Sequence, residues 1–270
     1  MRITPLASGS AGNALLVEAA GTRLLIDAGL HVDELERRLE LVGLRPERID
    51  ALFLTHRHKD HVRGATDFAR RHKTKVRTTR RTARALGTEV LRRLVRIDFE
   101  RPFEVGGLRL RAVPLRHDAP DTAGLLVEAE GRRFGYATDL GSFDAATVDA
   151  FTGCNGLFLE FNHCRDLLLA GEDPPHLKRR ILGPLGHLSN QDAELLLARL
   201  AHPRLAAVWL GHLSQRNNRP ERAIAAARRA LAGCPAAAIH VAEQDRPLAP
   251  VALGAAALHP IETPGEGRAP

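Results

Sequence analysis

Leu54-Thr55-His56-Arg57-His58-Lys59-Asp60-His61 closes a short apolar run, Ala51 to Leu54, and its reading decides what this chain is. Three imidazoles and a carboxylate fall between His56 and His61. Packing gives no reason for such a cluster, whereas a metal ion does. Neutral imidazole nitrogen and carboxylate oxygen together suit zinc or manganese. His56 and His58 are two positions apart, so their side chains project to one side where the chain is extended. Asp60 and His61 follow a short turn and can face a second ion. The competing reading is a polar surface loop that happens to be His-rich; an H-x-H-x-D-H string is too specific for it.

The 270 residues are 44% apolar, enough to bury a full core as one large domain or two small ones. Aromatic residues make up only 4%, so the core must be built from Leu, Val, Ile and Ala. No apolar run approaches the roughly 20 residues that span a bilayer, and no membrane partner is expected. Met1-Arg2-Ile3-Thr4 reads as a first strand rather than a signal peptide. Cys154, Cys164 and Cys234 are odd in number and lack C-x-x-C spacing, which points to free thiols and a reducing cytoplasm.

The formal charge is +7, with the basic residues clustered. Arg70, Arg71, Lys73, Lys75, Arg77, Arg80, Arg81 and Arg84 form one group, Arg92, Arg93 and Arg96 a second, and Lys178, Arg179 and Arg180 a third. Positive fields of this kind attract polyanions. A solvated Arg-rich surface has the same composition, so charge alone does not establish a nucleic-acid partner.

Strand-like runs dominate the first half: Arg2–Leu6, Ala14–Glu18, Arg23–Asp27, Ala51–Leu54, Leu108–Val113, Leu125–Glu130 and Arg133–Thr138. Gly9-Ser10-Ala11-Gly12-Asn13 makes a tight turn, and Glu130-Gly131 suits a hairpin. Val32–Val42 and Ala65–Arg71 read as helices. The second half alternates: strand Leu157–Glu160, helix Asn190–Leu200 with Ser189 or Asn190 as its cap, strand Leu205–Leu210, helix Pro220–Leu231, strand Ala236–Val241. This mixture predicts an α/β or α+β fold with both sheet faces covered. No sequence repeat and no linker is evident. One domain is expected over 1–246, followed by a Pro/Gly/Ala-rich segment, 247–270, with a disordered end.

Several predicted strands end in a potential ligand. His117 follows Val113-Pro114-Leu115-Arg116, Asp139 follows Tyr136-Ala137-Thr138, and His212 follows Val208-Trp209-Leu210-Gly211. Residues leaving the ends of several strands converge on one rim, where loops carry chemistry. A lone His is more often a surface or core residue; beside a first metal motif, a strand-end His is a ligand candidate.

The string Thr55–His61, with Asp27 before it and His117, Asp139 and His212 after it, resembles the metallo-β-lactamase fold superfamily. Further motifs resemble its YycJ/WalJ-like branch: Ser8–Asn13, Glu160-Phe161-Asn162-His163, Leu177–Ile181, Gly186-His187-Leu188-Ser189-Asn190 and His212–Asn218. Phe161 departs from that branch, which has a small polar residue there. The resemblance implies an α+β, αββα four-layer sandwich of two mixed sheets flanked by helices. It also implies two divalent ions, zinc or manganese, with iron as a further option. His56, His58 and His117 would hold one, Asp60, His61 and His212 the other, and Asp139 would bridge them. A hydroxide shared by the ions would be the nucleophile. Asp27 would stand behind the ligands and orient an imidazole. Asp60, His187 and Glu160 are the implied catalytic residues, the last two as an acid–imidazole pair acting on a phosphate or leaving group. Asn162, His163, Lys178, Arg179, Asn217 and Asn218 are candidate substrate contacts.

Three functions fit. The branch implies hydrolysis of DNA phosphodiesters as a 5′-to-3′ exonuclease. The same ligands would serve a small-molecule hydrolase acting on a cyclic phosphodiester, thioester or lactone. A non-catalytic nucleic-acid-binding protein with a structural metal is the third, and a seven-ligand set argues against it, because structural zinc sites are closed four-ligand sites. No oligomeric state is assigned.

Overall fold

A computed structural model describes residues 1–84, 86, 90, 92–99 and 101–254. The first sheet is built from β1 (Arg2–Ala7), β2 (Ala14–Ala19), β3 (Thr22–Ile26), β4 (Ala51–Phe53), β5 (Lys75–Thr78) and β6 (Leu94–Arg96). The second takes β7 (Phe103–Val105), β8 (Leu108–Pro114), β9 (Ala123–Ala129), β10 (Arg132–Ala137), β11 (Gly156–Glu160), β12 (Ala207–Gly211) and β13 (Ala238–Val241). A last strand, β14 (Val251–Ala252), returns to the first sheet beside β1. The strand orders are β14-β1-β2-β3-β4-β5-β6 and β13-β12-β11-β10-β9-β8-β7.

Why the sheets face each other is written in the alternation of their side chains. On β9, Ala123, Leu125 and Val127 point into the core between the sheets while Leu126 points out. On β12, Trp209 points in and Val208 and Leu210 point out. On β3 and β4, Leu24, Ile26 and Phe53 point in, and Leu25 and Leu52 point out. Both faces of each sheet are therefore apolar, so each outer face needs helices. Helices α1 (Val32–Leu41), α2 (Lys59–Val62), α3 (Ala65–Arg71) and α4 (Arg80–Ala83) follow strands of the first sheet. Leu35 and Leu39 of α1 and Phe68 of α3 cover its outer face. In the second half, α5 (Ala145–Phe151), α6 (Arg165–Ala170), α7 (Pro175–Leu182), α8 (Asn190–Leu200) and α9 (Pro220–Ala230) follow. Phe151, Leu196, Leu197 and Ala223 cover the second sheet. The result is the expected αββα sandwich, with one apolar layer between the sheets and one beneath each helical face.

Local signals hold where the backbone demands them. Glu130 and Gly131 take φ of +53° and +68°, the left-handed pair that a two-residue hairpin requires. The Ser189 hydroxyl accepts a hydrogen bond from Asp192 N at 3.1 Å and caps α8. Other elements escape the sequence. β5 hides in a basic run, and α7 buries none of its residues, so neither carries a clean apolar stripe. The segment beginning at residue 247 is also partly structural. Ile3 pairs with Val251, and Leu253 is buried against the core between the sheets. Its end, residues 255–270, lies outside the described residues. Among the described residues no helix is long and apolar enough to cross a membrane.

Deleting the Leu253 side chain beyond Cβ should cost about 2–5 kcal/mol, the usual loss for a buried Leu→Ala. Chemical denaturation of Leu253→Ala checks this. An unchanged midpoint would place residues after 246 outside the folded unit.

Candidate metal centre

The expected metal residues all arrive at one rim, where strands of both sheets end. β4 leads into His56 and His58, and α2 then carries Asp60 and His61. His117 follows β8, Asp139 follows β10, and His212 follows β12 directly. Asp139 and His212 adopt φ of +59° and +54°. That backbone region costs non-glycine residues energy, and such strain collects at functional sites.

Two triads of ligating atoms result, His56/His58/His117 and Asp60/His61/His212, and Asp139 lies within reach of His56 and His61. Nitrogens held about 2.0–2.1 Å from a tetrahedral ion lie about 3.4 Å from one another. His58 Nδ1 and His117 Nε2 are 3.2 Å apart. Asp60 Oδ2 is 3.5 Å from His61 Nε2 and 3.5 Å from His212 Nε2. Asp139 reaches both sides, with Oδ2 3.1 Å from His61 Nε2 and Oδ1 3.8 Å from His117 Nε2. His56 Nε2, His212 Nε2 and Asp139 Oδ2 are buried with no aligned hydrogen-bond partner. Buried polar atoms are rarely left so, and a cation would satisfy all three. The residues present fit divalent metal.

The far ring nitrogens are fixed from behind. His61 Nδ1 donates to Asp27 Oδ2 at 2.7 Å, His117 Nδ1 to the Gly186 carbonyl at 3.0 Å, and His212 Nδ1 to Glu160 Oε1 at 3.1 Å. Each such bond sets the tautomer and leaves the Nε2 lone pair directed toward the site, where that of His61 accepts from Asn13 Nδ2 at 3.0 Å. Electrostatics match a cation site. Burial alone would push His212 down, but Asp139, Asp60 and Glu160 outweigh it and raise the imidazole to about 10. Burial opposes ionisation of Asp60 as well; the neighbouring His212 and His61 rings nevertheless keep its carboxyl below the ordinary aspartate range.

Glu160 is fully buried, and it accepts from His187 Nδ1 at 2.8 Å, Leu188 N at 3.0 Å and Leu140 N at 3.2 Å. Burial raises its pKa, but His187, the larger opposing influence, and His212 lower it to about 2. The His187 ring stacks on that of His212, with centroids 5.1 Å apart, and lines a cavity of about 330 Å³ over the candidate ligands.

The candidate substrate contacts divide. Asn162 and Asn217 line the cavity. His163 is buried, does not line it, and is pushed down to about 4 by burial. Lys178 spends its ammonium on the carbonyls of Leu169 and Gly171, at 2.7 and 2.6 Å. Asn218 is a buried tie between Asn190 and the carbonyls of Phe161 and Asn162. Arg179 is exposed and is not a lining residue. Asp118, Arg180 and Arg216 were not singled out from sequence as site residues. Asp118 Oδ1 is 3.3 Å from both His58 Nε2 and His117 Nε2, and Arg180 Nε donates to Asp118 Oδ2 at 2.6 Å. The signal for that pair is weak, since 62 positions separate its members.

The Ser8–Asn13 turn is a buttress. Asn13 N donates to the Asp60 carbonyl at 2.8 Å, and Gly29 N donates to the Asn13 carbonyl at 2.9 Å. A Cβ on Gly29 would lie 1.6 Å from the Asp60 carbonyl oxygen. Gly29→Ala should therefore displace α2, lose bound metal and cost about 1–3 kcal/mol or more from overpacking. Metal analysis alongside denaturant unfolding checks this; full metal content at wild-type stability would contradict it.

Comparison with known proteins agrees with this geometry. Residues 22–209 match the family model described as Beta-lactamase superfamily domain. The exodeoxyribonuclease WalJ of Streptococcus pneumoniae serotype 2 strain D39 is 31% identical over 226 residues, covering 81% of this chain and 83% of that protein. The exodeoxyribonuclease YycJ of Bacillus anthracis is 30% identical, covering 83% and 86%. The fold also matches the crystal structure of the metallo-beta-lactamase fold protein YhfI from Bacillus subtilis, with a TM-score of 0.70 at 14% identity over 92% of this chain and 98% of that one. The chain belongs to the beta-lactamase superfamily, as a metal-dependent hydrolase similar over most of its length to WalJ and YycJ.

Proposed function

We propose that this chain is a binuclear phosphodiesterase that degrades DNA from an end, in the 5′-to-3′ direction. The observation that carries the hydrolytic reading is the meeting of the two ligand triads and Asp139 beneath one cavity, which members of both triads line together with Asp139 and the Glu160-held His187. The choice of DNA rests on the two relatives named exodeoxyribonucleases.

His56, His58 and His117 would hold one divalent ion, and Asp60, His61 and His212 the other, with Asp139 common to both. Zinc and manganese both suit these donors, and iron is also admissible. When bound, the pair would supply a shared hydroxide at neutral pH and a Lewis acid for the phosphoryl oxygen. The remaining work belongs to the chain's own residues. Asp27, Gly186 and Glu160 hold three ligand rings in place. Glu160 stays ionised and accepts from His187 Nδ1; with a hydrogen on both ring nitrogens, His187 can pass the Nε2 proton to the leaving oxygen and keep the Nδ1 bond. Asn162 donates to the His212 carbonyl at 2.9 Å and steadies the loop after β12.

The test is incubation of metal-loaded protein with end-labelled single- and double-stranded DNA and RNA. Wild type should give a ladder from one DNA end, and Asp60→Ala should give none. His187→Ala should keep its metal and slow turnover by about 10²–10⁴-fold, the usual contribution of a positioned acid. Wild-type His187→Ala rates would remove that residue from the chemistry. Absence of cleavage of every polymer would shift the substrate to a small ester.

A further inference from the structure

Two arginines line the cavity without a part in the chemistry above, Arg180 and Arg216. Exposed arginines are ordinarily loose, but both of these are tied. Arg180 is held by Asp118, beside His58 and His117. Arg216 Nη1 lies 2.8 Å from Asp173 Oδ1, and the two side chains differ sharply in exposure, 65% against 4%. Asp173 is thus a buried carboxylate whose partner sits at the rim. Its second oxygen accepts from Asn217 Nδ2 at 2.6 Å. The turn that carries Asp173 is pinned in turn by Lys178, through the carbonyls of Leu169 and Gly171.

Burying a carboxylate costs free energy unless it is fully partnered. Here Asn217 holds one carboxylate oxygen, while the other, Oδ1, is buried without an aligned hydrogen bond and is offset only by the charge of Arg216 2.8 Å away, which draws that guanidinium to the rim of the cavity. A guanidinium oriented in advance loses less entropy when an anion arrives, and its planar fork matches phosphate oxygens. Asp60 and Asp139 also line the cavity, and bound metal would offset their charge; Asp173 is offset by Arg216 itself. Another part of the wall is apolar. Leu177 and Ile181, one turn apart on α7, line the cavity, and α7 is a helix with no buried residue. At about 330 Å³ the space is near the lower end of ligand pockets, roughly 300–1,000 Å³. That suits a nucleotide-sized unit rather than a folded polymer.

We propose that Arg216, set by Asp173 and Asn217, binds the phosphate next to the scissile one on a polynucleotide strand, with Leu177 and Ile181 against the sugar or base between them. This rests on the nuclease reading. It gives Arg216 a positioning role, and it explains why Lys178 is spent on backbone rather than on substrate.

The experiment compares metal-loaded wild type, Arg216→Gln and Arg216→Lys on a single-stranded DNA oligonucleotide and on bis(p-nitrophenyl) phosphate, across a salt series. The small diester has no neighbouring phosphate. In Arg216→Gln, kcat/KM on the oligonucleotide should fall about tenfold further than on the small diester, mainly through KM. The dependence of log kcat/KM on log salt should become shallower by about 0.7–1, the share of one phosphate contact. Arg216→Lys should keep the wild-type slope. Equal losses on both substrates, or an unchanged slope in Arg216→Gln, would overturn the proposal while leaving the nuclease reading intact. Wild type that hydrolyses the small diester but no oligonucleotide would overturn both.

Discussion

The buried hydrogen bond between Asp27 and His61, 2.7 Å long with neither side chain exposed, is the constraint on which the site depends. Asp27 stands just past β3 and also accepts from the Thr55 amide at 2.9 Å and the Thr55 hydroxyl at 3.0 Å, both just past β4. The Tyr136 hydroxyl reaches it from β10 of the other sheet at 3.4 Å. One carboxylate thus joins two strand ends, the metal-motif helix and the facing sheet. Such a group is favourable only while every partner is present. Removing one partner from a buried charged pair commonly costs about 3–5 kcal/mol, because the remaining charge is left without compensation. Fold and site therefore share a part.

The two sheets reach the site by the same route. Read from β14 and from β7, each sheet makes three antiparallel pairings and then three parallel ones. β3 and β10 hold the same place in that order. Each is followed within two residues by an aspartate in the left-handed region, Asp27 at +62° and Asp139 at +59°. Both aspartates address His61, one at Nδ1 and the other at Nε2. One orients the ring from behind and the other faces the site. Equivalent positions in two halves thus carry different work, even though no sequence repeat betrays the relation.

How much of this was legible in the sequence depended on what each residue answers to. The candidate metal residues stood out because chemistry fixes their type and strand ends fix their place. The central strands were legible because both of their faces are buried, which leaves short, nearly continuous apolar runs. β5 was hidden because the core takes only Val76 and Thr78 from a run that also holds Lys75 and Arg77. β14 lay in a segment whose Pro, Gly and Ala content reads as a tail, yet Leu253 brings it back to the core. Among polar residues the sequence could not separate structure from function. Lys178 and Asn218 sit in the same motifs as real lining residues, but backbone carbonyls claim them. Arg180 and Arg216 were obscured for the opposite reason: their carboxylate partners are distant in sequence and arginine is abundant.

The proposed chemistry turns on a pair of metal sites sharing Asp139. Anomalous diffraction from crystals of metal-loaded protein, collected at the absorption edge of the bound metal, tests it most directly. Two peaks per chain are expected, one among His56, His58 and His117 and one among Asp60, His61 and His212, with Asp139 between them. A single fully occupied peak, or two peaks that do not both approach Asp139, would contradict it.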